Sequence, residues 1–188
     1  MTNRYRLLKY SQLARGVLRR VLPPGVQRFL IRGRNAYAII RREGFGCYLA
    51  LRRIAMMGER GSEHTIHLRT LKSPFTLRTG AGDYGEFVTT VMTGPFLPFL
   101  PEKAEVIVDA GAYIGDSACW FLTRFPKAIV AAIEPDASNF SILERNVRPY
   151  GCRCVLFKGA IWPRQARLHV VGTTAHCLSV REVGDNEP

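Results

Sequence analysis

Two carboxylates and two glycines carry most of the chemical information in this chain. In VIVDAGAYIGDSA, residues 106–118, an apolar run leads into Asp109, then Gly111, Gly115 and Asp116. The pattern reads as strand, tight turn and helix. Gly111 permits the tight turn and a close backbone approach, and Gly115 opens the helix with no side chain in the way. The helix N-terminus directs free N–H groups into the same space. Asp109 therefore stands at the carboxyl end of a strand, where open α/β sheets bind ligands. A second acid, Glu134 in IEPD, ends the next apolar run. Its two oxygens suit two adjacent ribose hydroxyls.

The turn lacks the G-x-G-x-x-G spacing that receives a pyrophosphate, since no third glycine falls in phase. A carboxylate at its mouth would repel phosphate and suit a cation. S-adenosylmethionine, with a sulfonium and an ammonium and no phosphate, fits that requirement better than a nicotinamide dinucleotide. Asp116 either caps the following helix or adds to the subsite for the ligand's amino-acid end. Asp136, after Pro135, reads as a helix N-cap. Asp83, in AGDYGEF, reads as the N-cap of an earlier helix with Phe87, Val91 and Tyr84 on its apolar stripe.

Strands are expected over 106–109, 128–133 and 154–157, with helices over 115–124 and 137–147. Each helix follows a strand closely, which points to a doubly wound parallel sheet of the Rossmann-like type, its strands apolar enough for burial on both faces. Phe140, Leu143 and Val147 would line the inner side of the second helix. Upstream, 64–70 and 75–79 alternate as short strands, and Pro95, Pro98 and Pro101 make a stiff connector. Three parts result: a basic helical extension over 1–60, a connecting part over 61–101, and a partial ligand-binding domain over 102–188.

Charge separates the first part from the rest. The chain of 188 residues has a formal net charge of +12. Residues 1–60 hold fourteen Lys and Arg against Glu43 and Glu59, whereas residues 61–188 balance to zero. A basic amphipathic helix is expected over 4–22, ended by Pro23-Pro24-Gly25, then a helical stretch interrupted by Gly33, Gly44 and Gly46. A further helix over 48–57 closes at Gly58. This extension reads as a solvated arginine-rich face or as a surface for anionic lipid. No nucleic-acid motif accompanies it, and no nucleic-acid partner is expected.

Five cysteines without framework spacing argue against a disulfide scaffold. His64 and His67 have no cysteine pair nearby, so no metal site is expected. With no long apolar run and no secretory signal pattern, the chain is expected in the cytoplasm, with peripheral membrane contact through its basic extension.

The segments DAGAYIGDS, AAIEPDASNFSILERNV and CVLFKGAI, with TGAGDYGEFVTTVMTG before them, together resemble the FkbM-type S-adenosylmethionine-dependent methyltransferases over roughly residues 75–170. The resemblance implies that Asp109, Gly111, Ala112, Tyr113, Gly115, Asp116 and Glu134 contact the cofactor, with Asp83 near the site. It implies that Gly159 and Ala160 approach the adenine, and that a saccharide or secondary-metabolite hydroxyl is the methyl acceptor. Two departures stand out. Tyr113 replaces the family's turn Asn, a residue better suited to left-handed backbone, and this is expected to reduce cofactor affinity. Nothing after Lys158 matches the family's fourth strand, so the chain reads as a truncated copy with no assignable catalytic base. The first parallel strand would then be an unpaired edge, covered by 167–171 (RLHVV), by the N-terminal hairpin or by a partner chain. The alternative is a non-catalytic domain that works as an interaction or membrane-surface module through its basic N-terminus.

Overall fold

The structure, a computed structural model, describes residues 22–57, 60–94, 100–172 and 178–182. The helix expected over 4–22, Gly58, Pro95, Pro98, His176 and Cys177 lie outside the described residues, apart from Leu22 at that helix's end. The fold is mixed α/β. Helix α1 (Pro24–Glu43) starts with proline in its first turn, where a missing N–H costs nothing. It runs through Gly33 without a break and stops at Gly44, whose φ is 91°. Helix α2 (Phe45–Met56) follows directly, so Gly44 alone interrupts this helical stretch.

Strands β1 (Glu63–Ile66) and β2 (Phe75–Arg78) pair antiparallel, with His64 opposite Leu77 and Ile66 opposite Phe75. Helix α3 (Asp83–Phe87) continues into a π-helical segment, Val88–Thr93, which ends at Gly94 in left-handed backbone. The helix thus ends at Gly94, immediately before Pro95 in the sequence. Gly82, also left-handed, holds the N-cap position of α3. Asp83 is the first helical residue and makes no cap, because its carboxylate is committed elsewhere.

Three parallel strands form the second half: β3 (Val106–Ala110), β4 (Ile129–Glu134) and β5 (Cys154–Lys158), in that spatial order. Helices α4 (Asp116–Arg124) and α5 (Ala137–Val147) connect them. Both crossovers progress in the same direction across the sheet. Right-handed connections therefore place both helices on one face. Val130 and Ala132 are buried on that face. The other face is open: Val106, Val108, Ile129, Val155 and Phe157 are exposed, Val106 at 68%. The expected doubly wound sheet, buried on both sides, is thus a three-stranded sheet with helices on one side among the described residues. Strands β6 (Leu168–Val171) and β7 (Ser179–Glu182) pair with each other. Neither this hairpin nor β1–β2 pairs with the edge of β3.

One apolar core joins the two halves. Phe75 and Leu77 of β2, Phe87, Val88 and Val91 pack with Ile114, Leu122 and Leu143. The Phe75 and Phe87 rings lie 5.2 Å apart. Leu143 and Val147 are buried as expected, whereas Phe140 is only partly so. Asn146 of α5 fastens the halves with polar bonds. Its Oδ1 accepts from the Thr76 N–H, and its Nδ2 donates to the carbonyls of Thr76 and Ile114. Glu43, buried at the end of α1, accepts from the Arg69 and Thr70 N–H groups and the Thr70 hydroxyl.

Gly115 is fixed by two independent requirements. Its φ is 88°, and a Cβ there would lie 2.8 Å from Leu143 Cδ1. Gly115→Ala is expected to destabilise the chain by roughly 2–4 kcal/mol, combining left-handed strain with overpacking. Urea unfolding measures this; a midpoint equal to the parent's would contradict the packing described.

Candidate functional site

A cleft of about 400 Å³ opens at the carboxyl ends of β3 and β4. This is within the roughly 300–1,000 Å³ typical of small-ligand sites. Asp109, Gly111, Tyr113, Asp116 and Glu134 line it, together with Glu86 from α3. Five of the eight residues expected at the site are therefore brought together on its walls. Ala112, Gly115 and Asp83 are not among them. Ala112 is fully buried and donates its N–H to the Ile133 carbonyl, so it anchors the turn to β4. Gly115 faces α5. Asp83 lies behind Tyr113. Gly159 donates its N–H to the Glu134 carbonyl, extending the β4–β5 ladder; neither it nor Ala160 lines this cleft.

The turn is held by side chains distant in sequence. Asp83 is fully buried and forms an ion pair with Arg78: Nε donates to Oδ2 at 3.0 Å and Nη2 to Oδ1 at 3.1 Å. The Arg78 backbone N–H also donates to Oδ2, at 2.7 Å. The Tyr113 hydroxyl donates to Asp83 Oδ1, with the Ala81 carbonyl as a second acceptor 3.1 Å away. Burial first, and then the Asp83 carboxylate, push the Tyr113 hydroxyl pKa up, so it remains a donor. The Tyr113 N–H donates to Glu134 Oε2 at 2.9 Å. Glu134 Oε1 accepts from the Asp136 N–H and from Asn139 Nδ2, and Asn139 Oδ1 accepts from Arg78 Nη2 at 2.7 Å. Arg78, Asp83, Tyr113, Glu134 and Asn139 thus close a ring of hydrogen bonds around the turn.

Two expectations change with this ring. Tyr113 has a φ of 52°, the left-handed backbone that favours Asn or Gly. The strain is offset by the bonds its backbone and hydroxyl make. Glu134 was expected to offer both oxygens to two hydroxyls, but three of its roughly four acceptor positions are already used by the protein. It has capacity left on Oε2. Asp136 is the N-cap of α5, accepting from the Asn139 N–H at 2.8 Å, as read from the sequence.

The cleft's remaining acids are less satisfied. Asp109 Oδ2 accepts from the Ser117 hydroxyl at 2.7 Å. Burial and the Glu134 charge raise the Asp109 pKa, and the Ser117 bond opposes them. Asp116 is the first residue of α4, with Gly115 at the cap position. Its Oδ2 is buried without a hydrogen-bond partner. Burial pushes its pKa to about 7, against the lowering effect of the Thr90 hydroxyl and nearby backbone N–H groups. Of the two readings kept open for Asp116, a capping role is not realised; the residue lines the cleft, and its unpaired oxygen is buried behind that lining. Sequence reasoning missed Glu86, Arg78, Ser117 and Asn139. Glu86 had a signal, three positions after Asp83 in a helix whose start was recognised.

Among the described cysteines Cys119 is buried, Cys47 and Cys154 are half-buried and Cys152 is exposed. Burial raises the thiol pKa values of Cys47, Cys119 and Cys154, the last to about 11. Among the described residues no group of three or more His, Cys, Asp or Glu could hold a metal ion. No described helix is long and apolar enough to cross a membrane.

No family model matches the chain and no curated protein matches it. Among solved structures, a geranyl diphosphate methyltransferase in complex with GPP and sinefungin is similar, with 18% identity and a TM-score of 0.29. The match covers 58% of this chain and 43% of that one, so this chain spans less than half of that protein's length.

Asp116 gives the site a pH signature. In the folded chain its carboxyl holds a proton up to about pH 7, whereas the unfolded chain releases it near the ordinary value of about 3.9. Folded protein binds the extra proton between those limits, so stability is fullest at acid pH and falls as pH rises through the interval. Asp109, also raised, adds in the same direction. Asp116→Asn is expected to remove the larger part of this slope in urea midpoints measured from pH 4 to 8. An unchanged slope would contradict the burial described.

Proposed function

We propose that the cleft binds S-adenosylmethionine and that the chain is a methyltransferase, or the donor-binding part of one. The observation that carries this reading is Asp116, with its unpartnered oxygen, beside Asp109 and Glu134 in one cleft. Such an anionic wall suits a ligand carrying positive charge and disfavours a phosphate. Asp109 and Asp116 would face the donor's ammonium and sulfonium end. The spare position on Glu134 Oε2 would take one ribose hydroxyl. Gly111 and Tyr113 supply the backbone wall of the turn. When bound, the donor supplies an activated methyl group. The chain's own residues orient it and compensate its charge.

Binding of a cation also relieves the protein. It would favour the ionised form of Asp116 and lower its raised pKa, so affinity is expected to increase from about pH 6 to about pH 7, before the ligand's own ammonium begins to lose its proton. The acceptor reading, a saccharide or secondary-metabolite hydroxyl, rests on the FkbM-type motif resemblance. A small-molecule hydroxyl acceptor is the corresponding partner.

Calorimetric titration of the full chain with S-adenosylmethionine tests the reading. Saturable binding is expected. Asp109→Ala is expected to weaken it by about 1.5–3 kcal/mol, the cost of one lost charge-assisted contact. Absence of binding at millimolar ligand by the folded chain would overturn the proposal.

A further inference from the structure

Helix α1 reverses the usual amphipathic arrangement. Val26, Phe29, Leu30, Tyr37 and Ile40 are exposed, Phe29 at 74% and Tyr37 at 66%. At about 3.6 residues per turn these positions fall on one stripe, with Gly33 between them, whereas Ile31, exposed at 42%, falls on the opposite side. The side toward the protein body carries Ile39 and Glu43, both buried, and Arg42, whose Nη1 donates to the Val91 carbonyl at 2.8 Å. The apolar stripe is therefore the side that faces away. By the same helical geometry Arg34 and Arg41 border it on one side, Arg32 is exposed about 60° beyond Phe29 on the other, and Arg28 falls on the side of Ile39. Glu43 is the helix's one carboxylate, and it is committed to Arg69 and Thr70. The exposed surface of α1 thus has apolar and cationic groups with no acid to offset them. Phe45 and Leu49 of α2 are exposed as well, at 60% and 52%.

Scattered exposed apolar residues are ordinary, but a contiguous stripe marks a contact surface. A protein groove could accept the stripe, yet it would also have to provide acids along both flanks. An anionic lipid surface meets both needs at once. The stripe enters the boundary between headgroups and acyl chains, while the arginines reach lipid phosphates on either side. We propose that α1 lies in the plane of an anionic membrane surface, with Phe29 and Leu30 at the centre of the inserted stripe. This places the membrane contact on α1, beyond the amphipathic segment over 4–22 expected from sequence. It is independent of what the cleft binds.

Vesicle flotation of the full chain tests the proposal, using phosphatidylcholine vesicles with and without phosphatidylserine. The chain is expected to float with the phosphatidylserine-containing vesicles and not with the neutral ones. Phe29→Ser combined with Leu30→Ser is expected to lower affinity about tenfold or more, since both side chains lose their burial in lipid. Arg32→Gln with Arg34→Gln is expected to weaken binding and reduce its salt dependence. The apolar pair discriminates, because other basic residues of 1–60 attract anionic vesicles by charge alone. All four positions are exposed, and unfolding curves matching the parent's would exclude a folding defect. Equal flotation with neutral vesicles, or undiminished flotation of the Phe29/Leu30 variant, would overturn the proposal. So would a dimer in solution that the same variant dissociates, which would make the stripe an interface between copies.

Discussion

The buried Asp83–Arg78 ion pair is the constraint on which the rest of the structure depends. A carboxylate and a guanidinium out of water are costly unless every acceptor and donor is used. Here they are used by four separate segments. Arg78 ends β2, Asp83 starts α3, the Tyr113 hydroxyl reaches Asp83 from the glycine turn, and Ser138 and Asn139 of α5 accept from Arg78. Asn139 in turn meets Glu134, and Glu134 holds the Tyr113 backbone. The pair thus ties the N-terminal hairpin to the turn and the turn to the parallel sheet. Removing one member would leave a buried charge exposed to no compensating partner, a loss larger than the pair's own net contribution.

This ring explains how an acidic cleft can exist at a strained turn. Tyr113 adopts left-handed backbone at a cost of about 1–2 kcal/mol for a residue other than glycine. Bonds at both its backbone and its hydroxyl hold it there. The ring also sets a division among the acids. Asp83 and most of Glu134 are satisfied by the protein and position the wall. Asp109 and Asp116 have raised pKa values, and Asp116 has an oxygen with no partner. Burial without full satisfaction is the physical mark of a group arranged for something other than stability.

Local signals made part of this legible in the sequence. The apolar runs ending in Asp109 and Glu134 gave strands within a residue or two of those observed, and Asp136 was recognisable as a cap because Pro135 precedes a helical stripe. Long-range pairing was not legible. Arg78 and Asn139 are sixty-one positions apart, and no local pattern pairs them. For the same reason Tyr113 looked only like a poor substitute for Asn, since its partner Asp83 lies thirty residues earlier. The apolar strands suggested burial on both faces, but the strand order β3–β4–β5 puts both helices on one side and leaves Val106 and Val108 exposed. Hydrophobicity alone could not reveal on which side the cover would come. The helix α1 carried a different difficulty: it was read only as a helical stretch interrupted by glycines, and which of its sides faced the body depended on where Ile39 and Glu43 docked.

The proposed function requires the acidic, pre-organised turn to favour a cationic nucleoside over a phosphate-bearing one. The most direct measurement is a comparison of affinities of the folded chain for S-adenosylmethionine, S-adenosylhomocysteine and NAD under identical pH and salt. The account predicts that the sulfonium ligand binds at least as tightly as its uncharged thioether and that both bind far more tightly than the pyrophosphate-containing NAD. NAD binding as tightly as S-adenosylmethionine would contradict it.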